Sequence, residues 1–97
     1  MLRLRVIRAG LPPPEAQIEV WHDGQFVARV DLGWHGAKVA LEYDGAWHGA
    51  PGRLAGDRKR TNALVPTGWI VIYVTAADLR DLSGILVRVR QALRAAA

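Results

Sequence analysis

The sequence predicts a single α/β domain whose elements run helix, three strands, helix, strand, helix. Three observations carry that reading. Between Ala16 and Tyr43, three runs alternate apolar and polar residues with turn signals between them, and period two is the mark of a strand with two unlike faces. Further on, Trp69–Val74 (WIVIYV) is unbroken apolar sequence, the pattern of a strand covered on both faces. The stretches on either side of it, and the one at the start, space their apolar residues as helices do.

Leu2–Ala9 is expected as a short helix closed by Gly10, with Leu4, Ile7 and Leu11 inward and Arg3, Arg5 and Arg8 in water. It starts at Met1 without a cap, so the expectation is a first helix cut short. Leu11–Pro14 (LPPP) then forces an extended link, because proline cannot continue a helix and restricts the residue before it. A strand follows from about Ala16 to His22, with Ile18 and Val20 on one face and Gln17, Glu19 and Trp21 on the other. Asp23-Gly24 signals a tight hairpin. In Phe26–Leu32 the residues Phe26, Ala28, Val30 and Leu32 are expected on one face, with Val27, Arg29 and Asp31 on the other. A turn through Trp34, His35 and Gly36 brings the chain back as Lys38–Tyr43, where Val39, Leu41 and Tyr43 oppose Ala40, Glu42 and Asp44.

The glycine-rich loop from Gly45 to Gly52 holds Trp47, His48 and Pro51. A helix is expected from about Arg53 to Val65, with Leu54, Thr61, Leu64 and Val65 inward and Asp57, Arg58, Lys59 and Arg60 outward. Pro66 and Gly68 end it. Trp69–Val74 should then be an interior strand, parallel to a neighbour, because a crossover through a helix is the usual way to join such strands. A last helix, capped by Asp81 or Ser83, buries Ile85, Leu86, Val89, Ala92 and Leu93, with Arg90 and Arg94 away from that stripe.

The totals bound the function. The 97 residues suffice for one domain, 1–97, with a modest core. There is no cysteine, so disulfides, thiolate zinc sites and cysteine nucleophiles are excluded. The net charge of +4 suits a polyanionic partner, although a small surplus also simply aids solubility. No apolar run approaches the roughly 18 residues that span a bilayer, and the arginine-rich start lacks a signal-peptide core. No membrane partner is expected, and the expected location is cytoplasmic.

The chemistry centres on Lys38–His48, KVALEYDGAWH. If Phe26–Leu32 and Lys38–Tyr43 form a hairpin, Asp31 lies opposite Ala40 or, with the loop centred one residue later, opposite Glu42. Either register puts Asp31 and Glu42 on one face, at most diagonal neighbours about 7 Å apart. Asp44 follows Glu42 on that face. Three carboxylates this close must raise a pKa, recruit a cation or turn into water. Magnesium, or manganese, is the expected cation, since a hard divalent ion takes carboxylate oxygens and activates water at a phosphodiester. The plain alternative is that these acids end strands in solvent beside arginines, with Asp44 merely a turn residue. Paired carboxylates also hydrolyse glycosides, but the chain is short for a sugar cleft and its tryptophans are scattered, Trp69 being expected in the core. His48, carried back over the strand end by the Asp-Gly turn, could orient water or protonate a leaving oxygen, or be a loop histidine without chemistry. His22 and His35 sit beside turns and are expected at the surface. Arg58, Lys59 and Arg60 would meet DNA phosphates if their helix faces the site; otherwise they form a solvated helix face.

RAGLPPPE, RVDLGW, VALEYDGAWH, the D-R-x-R-x-x-x-L of Asp57–Leu64 and GWIVIYVT, taken together, resemble a bacterial family of small restriction-endonuclease-like domains. That family is related to the very-short-patch mismatch-repair endonuclease, within the PD-(D/E)XK nuclease superfamily, and the resemblance covers nearly the whole chain. It implies a restriction-endonuclease-like core, αβββαβα, with a mixed sheet flanked by helices and the first helix truncated. It implies a metal-dependent DNA endonuclease or nickase, with a decayed domain that only binds nucleic acid or a protein partner as the alternative. In it Asp31 and Glu42 would bind the metal, with the Tyr43 carbonyl as a further ligand. Asp44 stands where many members have a lysine, and His48 matches a histidine placed by the attacking water. Asp57 and Arg58 match a helix motif with no assigned role. Cutting both strands would require a homodimer or a second event.

Overall fold

The computed structural model describes residues 2–44 and 53–97, and for 53–58 the backbone alone. Its elements are α1 (Leu2–Arg8), β1 (Glu15–His22), β2 (Gln25–Trp34), β3 (Val39–Tyr43), α2 (Arg53–Leu64), a 3-10 turn (Val65–Thr67), β4 (Ile70–Val74), α3 (Ala76–Arg80) and α4 (Ser83–Ala96). The strands form one mixed sheet in the order β1-β2-β3-β4. The first three make an antiparallel meander, and β4 runs parallel to β3. Among the described residues no helix is long and apolar enough to cross a membrane.

Local chemistry explains the turns. Asp23 and Gly24 both take positive φ, 52° and 76°, the twist that a two-residue hairpin needs. Past Thr67 the chain turns at Gly68, φ 81°, a left-handed position that glycine fills without strain.

Two apolar clusters lie on opposite sides of the sheet. The larger joins Val6, Leu11, Leu32, Trp34, Val39, Leu41, Ile72, Val74, Leu82, Ile85 and Val89, beneath α1 and α4. The smaller joins Ile18, Val20, Ala28, Val30, Ala40 and Leu64, beneath α2. The chain thus forms an α/β/α layering, with the sheet between α2 and the α1/α4 pair.

Several expectations are corrected. Val30 and Leu32 do not share a face, since each belongs to a different cluster. Strand β2 therefore changes sides at Asp31. Opposite that point on β1, between the pairs Ala16↔Leu32 and Ile18↔Val30, Gln17 adopts a left-handed φ of 55°. Gly33 completes the switch: a Cβ there would stand 2.8 Å from the Val39 carbonyl oxygen and 3.1 Å from Ile18 Cδ1. Phe26 does not join the inner face. It is exposed and meets Trp21 edge to face at 5.7 Å, next to an irregularity between Val20 and Trp21. Trp34 is not a turn residue but a core one, its indole N–H donating to the Pro12 carbonyl at 2.8 Å.

The helices also differ in phase. In α1 the buried residue is Val6, while Leu4 is exposed, because the docked face passes through Leu2 and Val6, one turn apart. In α2, Leu64 is buried but Thr61 is exposed, and Val65 falls in the 3-10 turn that follows, where it is exposed too. The stripe of α4 is as expected, with Ile85 and Val89 buried and Leu86, Ala92 and Leu93 packed beside them.

Strand β4 is parallel to its neighbour but is not interior. It lies at the sheet edge, with Ile70 and Tyr73 exposed and only Ile72 and Val74 fully buried. Its continuous apolar sequence reflects one deep face and a second face only partly roofed by α2. The short α3 (Ala76–Arg80) is an addition to the expected elements. Thr75 caps it in a reciprocal box with Asp78, a T-x-x-D pattern visible in the sequence.

Candidate functional site

Asp31 and Glu42 meet where β2 and β3 separate. The last ladder pair is Leu32↔Leu41, and one step further along that register Asp31 faces Glu42. Of the two registers open from sequence, this is the direct one. Here the two side chains replace the backbone ladder. The Asp31 N–H donates to Glu42 Oε2 at 3.3 Å, and the Tyr43 N–H donates to Asp31 Oδ2 at 3.1 Å. Each carboxylate thus holds a backbone amide of the other strand's segment, and the acids are pinned side by side.

Their environments differ. Asp31 is exposed, whereas Glu42 is buried at 8 % exposure. Burial pushes the Glu42 carboxyl above its ordinary value of 4.5; Arg60 opposes that rise and the Asp31 charge adds to it. Glu42 lies on the α2 side, alternate to Leu41 beneath α1 and α4.

Arg60 answers that burial. Its guanidinium forms an ion pair with Glu42 Oε1 through Nη1, and its Nη2 donates to the Arg29 carbonyl at 2.8 Å. The expectation that Arg60 lies on the outer side of its helix is therefore corrected: it points at the sheet. The signal was available, because Arg60 lies four residues before the buried Leu64 and so shares its face. One turn of α2 also brings Thr61 to Tyr73 of β4, their hydroxyls 3.1 Å apart. Lys59 is exposed. The side chains of Asp57 and Arg58 lie outside the described ones.

Asp44 is half-buried and its N–H donates to the Val74 carbonyl at 2.9 Å, extending the β3–β4 pairing. Among the described residues no three of His, Asp and Glu gather as a metal cluster, so Asp31, Glu42 and Asp44 do not form the expected trio. Tyr43 ends β3 with its side chain exposed. His48, with the rest of Gly45–Gly52, lies outside the described residues. His22 and His35 are at the surface, beside Asp23 and Trp69 respectively. A concavity of about 330 Å³ lined by Leu2, Arg5, Tyr43 and Leu79 lies on the α1 side of the sheet.

Chemically, the arrangement offers two adjacent carboxylates, one exposed and one buried, with a guanidinium closing the buried one. No family model, curated protein or solved structure matches this chain.

Proposed function

We propose that this chain is a magnesium- or manganese-dependent DNA endonuclease or nickase of the restriction-endonuclease-like kind. The observation that carries the reading is the side-by-side placement of Asp31 and Glu42 on adjoining antiparallel strands, where those strands separate. The order of helix, three-stranded meander, crossover helix and parallel strand is also the order of that superfamily's core. The edge position of β4 weighs against it, since that architecture was expected to bury the strand.

The donor set suits a hard divalent ion. Magnesium is commonly held by one or two carboxylates together with substrate phosphates, and the buried Glu42 already draws a cation in the form of Arg60. Asp31 and Glu42 would hold the ion, with the Tyr43 carbonyl as a further donor. Bound there, the ion supplies charge neutralisation at the phosphate and a more acidic water. The hydrogen bonds from the Tyr43 and Asp31 amides fix the carboxylates before any ion arrives, which lowers the ordering required on binding. Asp44 and His48 would adjoin the reacting phosphate, His48 orienting water or protonating the leaving oxygen. Arg58 and Lys59 would meet the DNA backbone. A DNA substrate agrees with the expected cytoplasmic location, and cutting both strands would take a homodimer or two successive events.

A second reading is favoured by the Arg60–Glu42 ion pair: a decayed domain that binds DNA or a protein partner and no longer cuts, its acid pair neutralised from within. A plasmid-nicking assay separates the two. The endonuclease reading expects nicking with magnesium or manganese, none with chelator, and none from Asp31→Asn. DNA retention without nicking supports the decayed domain, and equal nicking by Asp31→Asn removes Asp31 from the chemistry.

A further inference from the structure

Resting on the metal-dependent reading above, we propose that Arg60 is a resident counter-ion which a divalent cation must displace from Glu42, so that this helix residue sets the metal affinity of the site. Glu42 is a buried carboxylate beside a second one. An uncompensated charge there is expensive, so something cationic must sit against it. In this structure that group is the Arg60 guanidinium, on Oε1. A metal entering between Asp31 and Glu42 competes for the same negative charge, and the two cations repel each other.

The geometry allows the exchange. The Arg60 side chain is 31 % exposed against 10 % for Glu42, so it stands at the rim and can turn toward water while Glu42 stays in place. Its Nη2 is held by the Arg29 carbonyl at 2.8 Å, a neutral acceptor on the neighbouring strand that tethers the guanidinium after its ion pair is lost. Glu42 Oε2 is meanwhile fixed by the Asp31 amide, so losing Arg60 does not release the carboxylate. A mere brace between α2 and the sheet predicts the opposite outcome, because removing it would loosen Glu42 and weaken any metal site.

The test is manganese titration calorimetry on the metal-free protein, with folding checked by circular dichroism. Arg60→Gln should bind manganese about tenfold or more tightly than wild type, the scale on which a neighbouring opposite charge alters a carboxylate's affinity for a proton. Arg60→Lys, which keeps the charge that competes with the metal, should stay within about threefold of wild type. Equal or weaker binding by Arg60→Gln overturns the counter-ion role while leaving the metal reading standing. Absence of manganese binding in wild type and Arg60→Gln alike overturns both. Should Arg60→Gln not fold, the wild-type protein still decides the matter. The Arg60 side-chain Nε–H resonance should move as magnesium saturates the site, and an unmoved resonance at saturation overturns the proposal.

Discussion

At the scale of single residues, Asp31 and Glu42 are a pair whose members behave differently. Burial raises the Glu42 pKa above 4.5 in the folded state, so the native protein holds that proton more tightly than the unfolded chain. The sign follows from linkage: stability falls as pH rises from about 4.5 through the folded value, and the penalty is absent below the unfolded one. Urea midpoints across that window should therefore fall more steeply for wild type than for Glu42→Gln, which cannot ionise; parallel curves would show that Glu42 is not buried as described. For Asp31→Asn the carbonyl oxygen can still accept the Tyr43 amide, and repulsion with Glu42 is relieved. Its stability should stay within about 0.5 kcal/mol of wild type or rise slightly, while manganese binding disappears in calorimetry. Asp31→Ala loses the acceptor as well and should cost about 1 kcal/mol in urea unfolding. His48→Ala should lower turnover and leave DNA affinity nearly unchanged, because its proposed contact forms only in the transition state; equal losses in both would make it a binding residue.

At the scale of elements, the change of side within β2 places the acids. A regular strand would carry Val30 and Leu32 on one face, yet each packs in a different cluster. Gly33 permits this, because the Val39 carbonyl oxygen would lie 2.8 Å from its Cβ and backbone cannot move aside cheaply. Gly33→Ala should thus cost about 1–3 kcal/mol in chemical denaturation, and a neutral result would mean that β2 and β3 can separate further. Gln17 takes a left-handed φ at the same point of the meander, so Gln17→Gly should be neutral or stabilising, by about 1 kcal/mol at most. The crossover helix contributes through Arg60. Arg60→Ala should cost about 2–3 kcal/mol in the metal-free protein, less than the loss of one partner of a fully buried pair, since Arg60 is partly exposed.

At the scale of the whole molecule, a 97-residue chain divides its core between two sides of one sheet. The larger cluster lies away from the acids, beneath α1 and α4, and Leu41 at its centre is completely buried. Leu41→Ala should cost about 2–5 kcal/mol, a large share of the roughly 5–15 kcal/mol available to a domain, and its thermal unfolding should show the loss directly. The thinner α2 side leaves Tyr73 of β4 partly open. On the proposed endonuclease reading, the basic residues of α2 divide by role. Replacing Arg58 and Lys59 with alanine should weaken DNA binding across all sequences and reduce the salt slope by about 0.9 per lost phosphate contact. An unchanged slope would make that helix a solvated surface.

What the amino-acid order determined by itself was local: strands where residues alternate, a hairpin at Asp23-Gly24, and an amphipathic last helix around Ile85 and Val89. Asp31 and Glu42 were also legible as neighbours, because strand parity and a short turn leave few registers. Tertiary structure alone decided the rest, because it depends on what docks where. Arg60 turned inward because the face of α2 that settles on the sheet is set by Leu64 and by a buried carboxylate in need of a cation. Strand β4 became an edge because burial belongs to a strand's neighbours, and an apolar run cannot say how many it will have. The change of side at Asp31 arises from the separation of β2 and β3 and the close approach at Gly33, which depends on two layers of packing at once.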